Sequence, residues 1–522
     1  MNTVLATMVA VTVLSAAGCM PVVAAIGLRW FAVPLVPLAG AVLAGLAASA
    51  SLSFGGGLLN WFVGLAMVAA GAVFALWVMH PERGPWPSSS SSDVPGRGRH
   101  RLIGAVGFVV VLMSCAWSLR GLRSPTVGFD ARALWVMRPG WFLQSHAQLL
   151  IDMKARDLQL TQSAYPPLVS AVAAVAWKIT GIHTARLGVA LIAVLNACAL
   201  ATAALALVEV GRGVSARLVR RSSGPPGPSK PPWAPMVIGV VAAVLLVFVA
   251  AGATEPFLTN GYADPIWSLA AVGAVAYGLQ VHVDRSTRSA AALLILVAGL
   301  SKNEGFVTAT ALVVLIAARS IGVSGLRAGW RRWASPVMLA ACELAILVWW
   351  PVLMKAIGAR GATSSFSTSG DLASRATATM HGMSPYLHVL VVAAPVAVVG
   401  GLLLSSVRRR GGIGNDLWAW LALVAGLAAV GGALVTGSGA IEPWIRSTVH
   451  RITEYPLLEG WWILAVWGVV ASAGIGAGIG AGIGAGSVPL DADAITTDAR
   501  AMAPDGLIEV GNADTFVAGA AR

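Results

Sequence analysis

Residues 165–180 read YPPLVSAVAAVAWKIT, and whether this stretch crosses a bilayer decides how the rest of the chain folds. Its apolar part, 166–180, is about 15 residues, short of the roughly 20 that a helix rising 1.5 Å per residue needs to cross about 30 Å of hydrocarbon. It opens on Tyr165-Pro166-Pro167 and carries Trp177 and Lys178 near its end, which suits a helix lying at the membrane interface. A crossing here would also carry the Arg-rich 212–234 loop to the outer face, against the rule that Lys and Arg of short loops stay cytoplasmic. Residues 120–183 are therefore read as one large external segment. Its own basic residues are no obstacle, because long loops translocate largely regardless of charge.

Apolar runs of spanning length lie on both sides of it: 2–26, 30–52, 58–79, 102–119, 184–210, 236–253, 265–281, 289–318, 336–355, 386–406, 417–436 and 460–482. The chain is 57% hydrophobic and 11% charged, where a soluble domain has roughly a quarter of its residues charged. The runs are continuous and rich in Ala, Val, Leu and Gly, without the ten-residue alternation of a membrane barrel. The expected fold is all-α, a polytopic transmembrane helical bundle of about 11 to 13 spans with external juxtamembrane helices. Residues 1–101 hold N-terminal spans and a cytoplasmic linker, 102–485 the core with its external loop 120–183, and 486–522 a disordered cytoplasmic tail.

Five basic clusters fix the orientation: Arg83, Arg97, Arg99 and Arg101; Arg212, Arg217, Arg220, Arg221 and Lys230; Arg285 and Arg288; Arg327, Arg331 and Arg332; and Arg408 to Arg410. All are expected on the cytoplasmic side. The 289–318 run has basic flanks at both ends and Ser301-Lys302-Asn303-Glu304-Gly305 at its centre. A hairpin of two short helices with its polar tip toward the external face satisfies both flanks. Charges within a span are costly, so Lys302 and Glu304 are expected to face a cavity or each other.

Other features exclude function classes. Cys19, Cys115, Cys198 and Cys342 all lie in apolar runs without metal-ligand spacing and read as packing residues. The net charge of +13 sits mostly in short loops, where topology and anionic lipid account for it, so no nucleic-acid partner is expected. The N-terminal run lacks a basic leader and is too long for a signal peptide, which favours a retained helix despite the Ala-Ala-Gly-Cys at 16–19. Residues 81–99 and 221–235 read as flexible linkers, and the Gly-Ile-Gly-Ala repeat of 474–486 as low complexity.

With this topology, ionisable residues of every external segment face the same side: Asp130, Arg132, Arg138, Asp152, Asp157, Glu255, Asp264, Lys302, Glu304, Asp371, Glu442, Arg446, His450, Arg451 and Glu454. Asp130 begins the helix-like Phe129-Asp130-Ala131-Arg132-Ala133-Leu134-Trp135, where a carboxylate can serve as a general base. Asp264, in Gly261-Tyr262-Ala263-Asp264-Pro265, stands at the mouth of a span. The plainer reading of Asp264 is a helix N-cap with Pro265 at the first helical position. A multi-span transporter or lipid flippase and a non-catalytic scaffold stand as alternatives from other classes.

An acidic residue opening an early external loop, the Tyr165-Pro166-Pro167-Leu168 juxtamembrane helix, Asp264 entering a later span and Lys302-Asn303-Glu304-Gly305 in a hairpin occur here in that order. Together, over roughly 102–460, they resemble the GT-C superfamily of membrane glycosyltransferases. The resemblance implies transfer of a mannose- or arabinose-like sugar from a polyprenyl-phosphate donor to an envelope glycan, glycolipid or protein, on the external face of the plasma membrane, with inversion. It puts Asp130 at the catalytic position and implies Arg451 as the cation for the leaving phosphate, then Lys302 and Arg138, with Tyr165, Asp264, Glu304 and His450 also in the site. No cofactor is assigned. A divalent metal is left open, since Asp130 is followed by Ala131 rather than a second acid, and His146, His183, His381 and His450 are scattered.

Overall fold

The computed structural model of the chain describes residues 2–79, 97–123, 127–128, 131–155, 164–221, 233–254, 258–280, 284–324, 330–359, 372–403, 416–436 and 448–484. Asp130, Asp157, Glu255, Asp371, Glu442, Arg446, Arg408 to Arg410, most of both linkers and the tail lie outside them. The protein is all-α, with no strand among the described residues. Residues Met1–Ile475 form one compact unit and Gly476–Arg522 a second. Every charged residue of the centre lies within the first.

Eight described helical stretches are long and apolar enough to cross a membrane: Thr3–Ile26, Trp30–Phe54, Leu58–Ala75, Leu102–Leu122, Ala185–Ser215, Ala234–Ala253, Asn303–Ile321 and Ala334–Ile357. The protein is a multi-pass membrane protein. The helices that position the site are α1 (Thr3–Ile26), α2 (Leu35–Phe54), α3 (Leu58–Met79), α4 (Arg97–Ser118), α5 (His146–Lys154), α6 (Leu168–Thr180), α7 (Ala185–Arg221), α8 (Ala234–Ala253) and α9 (Asp264–Val275). They are followed by α10 (Arg285–Ser301), α11 (Asn303–Ser324), α12 (Trp330–Ile357), α13 (Leu372–Met383), α14 (His388–Leu403), α15 (Asp416–Thr436) and α16 (Glu454–Gly484).

Successive helices fold back on one another where the sequence supplies glycine. Between α1 and α2, a Cβ on Gly18 would lie 2.0 Å from the Val36 carbonyl oxygen and one on Gly40 2.0 Å from that of Leu14. Only a bare backbone permits this approach, and close backbone approach through small residues is how helices gain packing energy in lipid. The 289–318 run behaves in the same way. It divides at Lys302, whose backbone is extended at φ −156° and ψ 159°, and α10 and α11 pack as a hairpin. A Cβ on Gly305 would sit 2.2 Å from the Ala298 carbonyl oxygen. The expected two-helix hairpin with Lys302 at its tip is what the chain forms.

Helices α7, α9 and α10 make the centre of the bundle, and every residue of α9 from Asp264 to Val275 is buried. By contrast, α3, α4 and α12 present long exposed apolar faces, among them Met67, Phe74, Met113 and Met338, as lipid-facing helices do.

The stretch at 165–180 departs from its expected setting. At 13 residues, α6 is too short to span, but it does not lie with one face exposed at an interface. Leu168 through Trp177 are all buried, packed against α1, α2 and α7. The physical reason is that from Leu168 to Trp177 only Ser170 is strongly polar, so this part has no polar face to turn outward, and a helix apolar nearly all round is stable only when surrounded. It ends at Gly181 with φ +68°, the left-handed conformation favoured at a helix C-terminus, and Trp177 donates its indole N–H to the Thr184 carbonyl at 3.2 Å.

Candidate functional site

The centre begins with the turn that enters α9. Gly261 has φ +88°, and a Cβ there would also lie 3.0 Å from that of Ala131, so both conformation and space call for glycine. Asn260 holds the turn by accepting the Tyr262 N–H at 3.3 Å, and its carbonyl accepts the Gly128 N–H at 3.1 Å. Gly128 lies against the Tyr262 ring, which an added Cβ would meet at 2.1 Å. Asp130 lies outside the described residues, but Gly128 and Ala131 on either side of it both contact the 260–262 turn.

Two residues beyond Tyr262, Asp264 is the first residue of α9. The helix N-cap is Ala263, and no side chain caps it, so the carboxylate does not serve as the cap that its position before Pro265 suggested. Instead its two oxygens take two cations. Lys302, from the break between α10 and α11, binds Oδ1, and Arg451 binds Oδ2 at 3.2 Å. The side chains of Lys302 and Asp264 are 3% and 1% exposed. Glu304 Oε1 is 3.5 Å from Lys302 Nζ, so the expected Lys302–Glu304 pairing exists as the looser of two. The Arg451 guanidinium lies 4.4 Å from the centroid of the Tyr262 ring, a cation–π distance.

Carboxylates continue behind this pair. Glu454, 1% exposed, accepts the Ser268 hydroxyl at 3.4 Å. Its Oε1 has no hydrogen-bond partner among the described residues. His450, just before Arg451, has its ring centroid 6.5 Å from that of Tyr386. Burial, reinforced by the Arg451 charge, holds the His450 imidazole below its usual range against the opposing pull of Asp264.

Arg138 is fully buried and donates to the Tyr165 carbonyl at 2.9 Å. The Tyr165 ring lies 5.4 Å from that of Trp135, and its backbone is held from the other side by Trp350, whose indole N–H donates to the Ala164 carbonyl at 3.0 Å.

The structure thus gathers Lys302, Glu304 and Arg451 at the Asp264 carboxylate, with His450 next to Arg451, while Arg138 and Tyr165 are joined to each other. Sequence reading gave no role to Tyr262, Ser268 or Glu454, although the three-residue spacing from Arg451 to Glu454 was a usable signal for one helical face. Two cations on one buried carboxylate make an anion-binding chemistry. Among the described residues no group of three or more His, Cys, Asp or Glu side chains could hold a metal ion. Comparison with protein-family models, curated proteins and solved structures gave no match.

Proposed function

We propose that the chain is a membrane glycosyltransferase that moves a sugar from a polyprenyl-phosphate donor to a hydroxyl of an envelope glycan, glycolipid or protein on the external face of the plasma membrane. The observation that carries this reading is the convergence of Lys302 and Arg451 on Asp264, beside the two residues, Gly128 and Ala131, that flank Asp130. In the reaction, the acceptor hydroxyl attacks the anomeric carbon while Asp130 takes its proton, and the bond from that carbon to the phosphate oxygen breaks. The electron pair leaves with the lipid phosphate. Arg451 and Lys302 meet the charge that develops there, where charge-assisted hydrogen bonds in a water-poor site are strongest.

Radiolabelled polyprenyl-phosphate sugar, given to the purified chain in proteoliposomes with a crude envelope acceptor, tests this directly. Labelled product is expected from the wild type and none from Asp130→Asn, with both inserted equally. Retained turnover in Asp130→Asn removes the assigned base. Absence of product from the wild type, with labelled lipid instead crossing the bilayer intact, favours a lipid flippase or transporter. That second reading has its own observation, the break in an apolar helical run at Lys302, since discontinuous helices are a transporter feature.

A further inference from the structure

We infer that the Asp264 carboxylate is the resting occupant of an anion site formed by Lys302 and Arg451, and that a phosphate monoester binds there by taking both cations from it. The inference rests on the reading of the centre as a phosphate site and adds how that site is held when empty.

Four features support the exchange. First, Asp264 has no local duty: Ala263 is the N-cap of α9, and the carboxylate pairs with Lys302, 38 residues away in sequence, and Arg451, 187 away. Second, each oxygen holds a different cation, Oδ1 the ammonium and Oδ2 the guanidinium. Two oxygens of a phosphate bridge the same two cations in the same way. Third, among the described residues Lys302 and Arg451 face Asp264 and Glu304, two charges of each sign, so an added phosphate competes with a carboxylate for the cations. Fourth, Arg451 is the more exposed of the two cations, its side chain 12% exposed against 3% for Lys302 and 1% for Asp264. An arriving anion therefore meets the Arg451 guanidinium before it meets the Asp264 carboxylate. Glu454, which meets Ser268 of α9 at 3.4 Å and whose Oε1 has no partner among the described residues, is a hydrogen-bond donor for the released carboxylate when it carries its proton.

Removal of the internal competitor therefore has a sign that a purely structural salt bridge does not share. In nanodiscs holding the full chain, binding of a tritiated polyprenyl monophosphate is measured against polyprenol, which lacks the anion, and against competition by inorganic phosphate. Asp264→Asn is expected to bind the lipid phosphate on the order of tenfold more tightly than wild type, the scale of one charge-assisted hydrogen bond. Glu304→Gln gains less, while Lys302→Gln and Arg451→Gln lose affinity. Unchanged or weaker binding by Asp264→Asn overturns the inference.

If Asp264→Asn is unstable as purified, polyprenyl monophosphate but not polyprenol restores its folded yield. Failure of that rescue also overturns the inference. Competition by inorganic phosphate at equal concentration upholds the exchange and assigns the site to free phosphate. Sugar transfer is read separately. Tighter phosphate binding without any transfer sinks the transferase and leaves the exchange, whereas transfer with weaker binding by Asp264→Asn does the reverse.

Discussion

Charged side chains meet at both ends of α10, and the two clusters differ in kind. At its N-terminus, Asp284 accepts the Thr287 N–H at 2.8 Å while the Thr287 hydroxyl accepts the Asp284 N–H at 2.9 Å, a reciprocal capping box. Asp284 also pairs with Arg29 at 2.9 Å, both side chains 37% exposed. At the other end, about 25 Å away along a 17-residue helix, Lys302 and Asp264 are almost wholly buried. The first cluster explains itself, because it satisfies helix ends in contact with solvent. In the second, the Asp264 carboxylate gives α9 no side-chain cap, and three charges are taken out of water, a cost that well-packed apolar residues would not incur. Charges kept under that penalty within a membrane bundle mark a site.

The largest expected effect breaks the buried cluster. Lys302→Met leaves Asp264 with one cation instead of two, and loss of one partner from a buried pair typically costs about 3–5 kcal/mol. The double variant Lys302→Met with Asp264→Leu is expected to regain most of this, since apolar replacement of both partners is often neutral or better. Thermal unfolding in detergent reads both. A double variant as unstable as the single would make the cluster a structural keystone and remove the contrast with Asp284.

Two glycines carry the comparison to backbone packing: Gly305, within the hairpin at its buried end, and Gly278, in the π-helical turn Ala276–Gln280 after α9, packed against the hairpin toward its other end. At the buried end, a Cβ on Gly305 would meet the Ala298 carbonyl oxygen at 2.2 Å, backbone that cannot step aside. At the other, a Cβ on Gly278 would meet Ile316 Cδ1 at 2.3 Å, the far end of a side chain that can rotate. Gly305→Ala is expected to cost about 1–3 kcal/mol by overpacking, and Gly278→Ala clearly less. Equal losses would mean that the tip at Lys302 is no more tightly built than the Asp284 end.

Sequence reading reached this hairpin and its break, because two basic flanks around a polar centre admit few other arrangements. It did not reach the main partner of Lys302. Glu304 is nearest in sequence, but residues two apart point to different sides of a helix, and the pairing that dominates comes from Asp264, 38 residues earlier. Only the packing of α9 against α10 and α11 brings it there. In α6 the signal was present but outweighed: length, Trp177 and Lys178 spoke for an interface, while a circumference from Leu168 to Ala176 that is apolar apart from Ser170 spoke for burial, and burial is what α6 adopts. Tyr262 and Glu454 acquire meaning only once Arg451 is seen beside them.

At the half-exposed end, Asp284→Ala is expected to cost about 1 kcal/mol, the usual worth of an N-cap. Partial burial raises the Asp284 carboxyl, but the Thr287 N–H and Arg29 outweigh it and hold the group below the usual carboxylate range. A lowered folded value means that this contribution is fully present above the unfolded value of about 3.9 and is lost as pH falls through the folded one. The difference in stability between wild type and Asp284→Ala should therefore be constant near neutrality and shrink only in acid. A difference that already fades near pH 6 would contradict the assignment.

The smallest effect separates the cap from the ion pair within that same cluster. Arg29→Gln removes only the exposed pair, and such pairs contribute a few tenths to about 1 kcal/mol. At about 1 M salt the screening length falls to about 3 Å, so the Arg29→Gln difference should vanish, while that of Asp284→Ala persists in the part carried by the Thr287 hydrogen bonds. Lys302→Met should show no such salt dependence, because ions do not reach a side chain 3% exposed. A salt-sensitive Lys302→Met would mean that water and ions already enter the Asp264 centre. The desolvation argument that sets it apart from the Asp284 end would then fail, even if both clusters were otherwise intact.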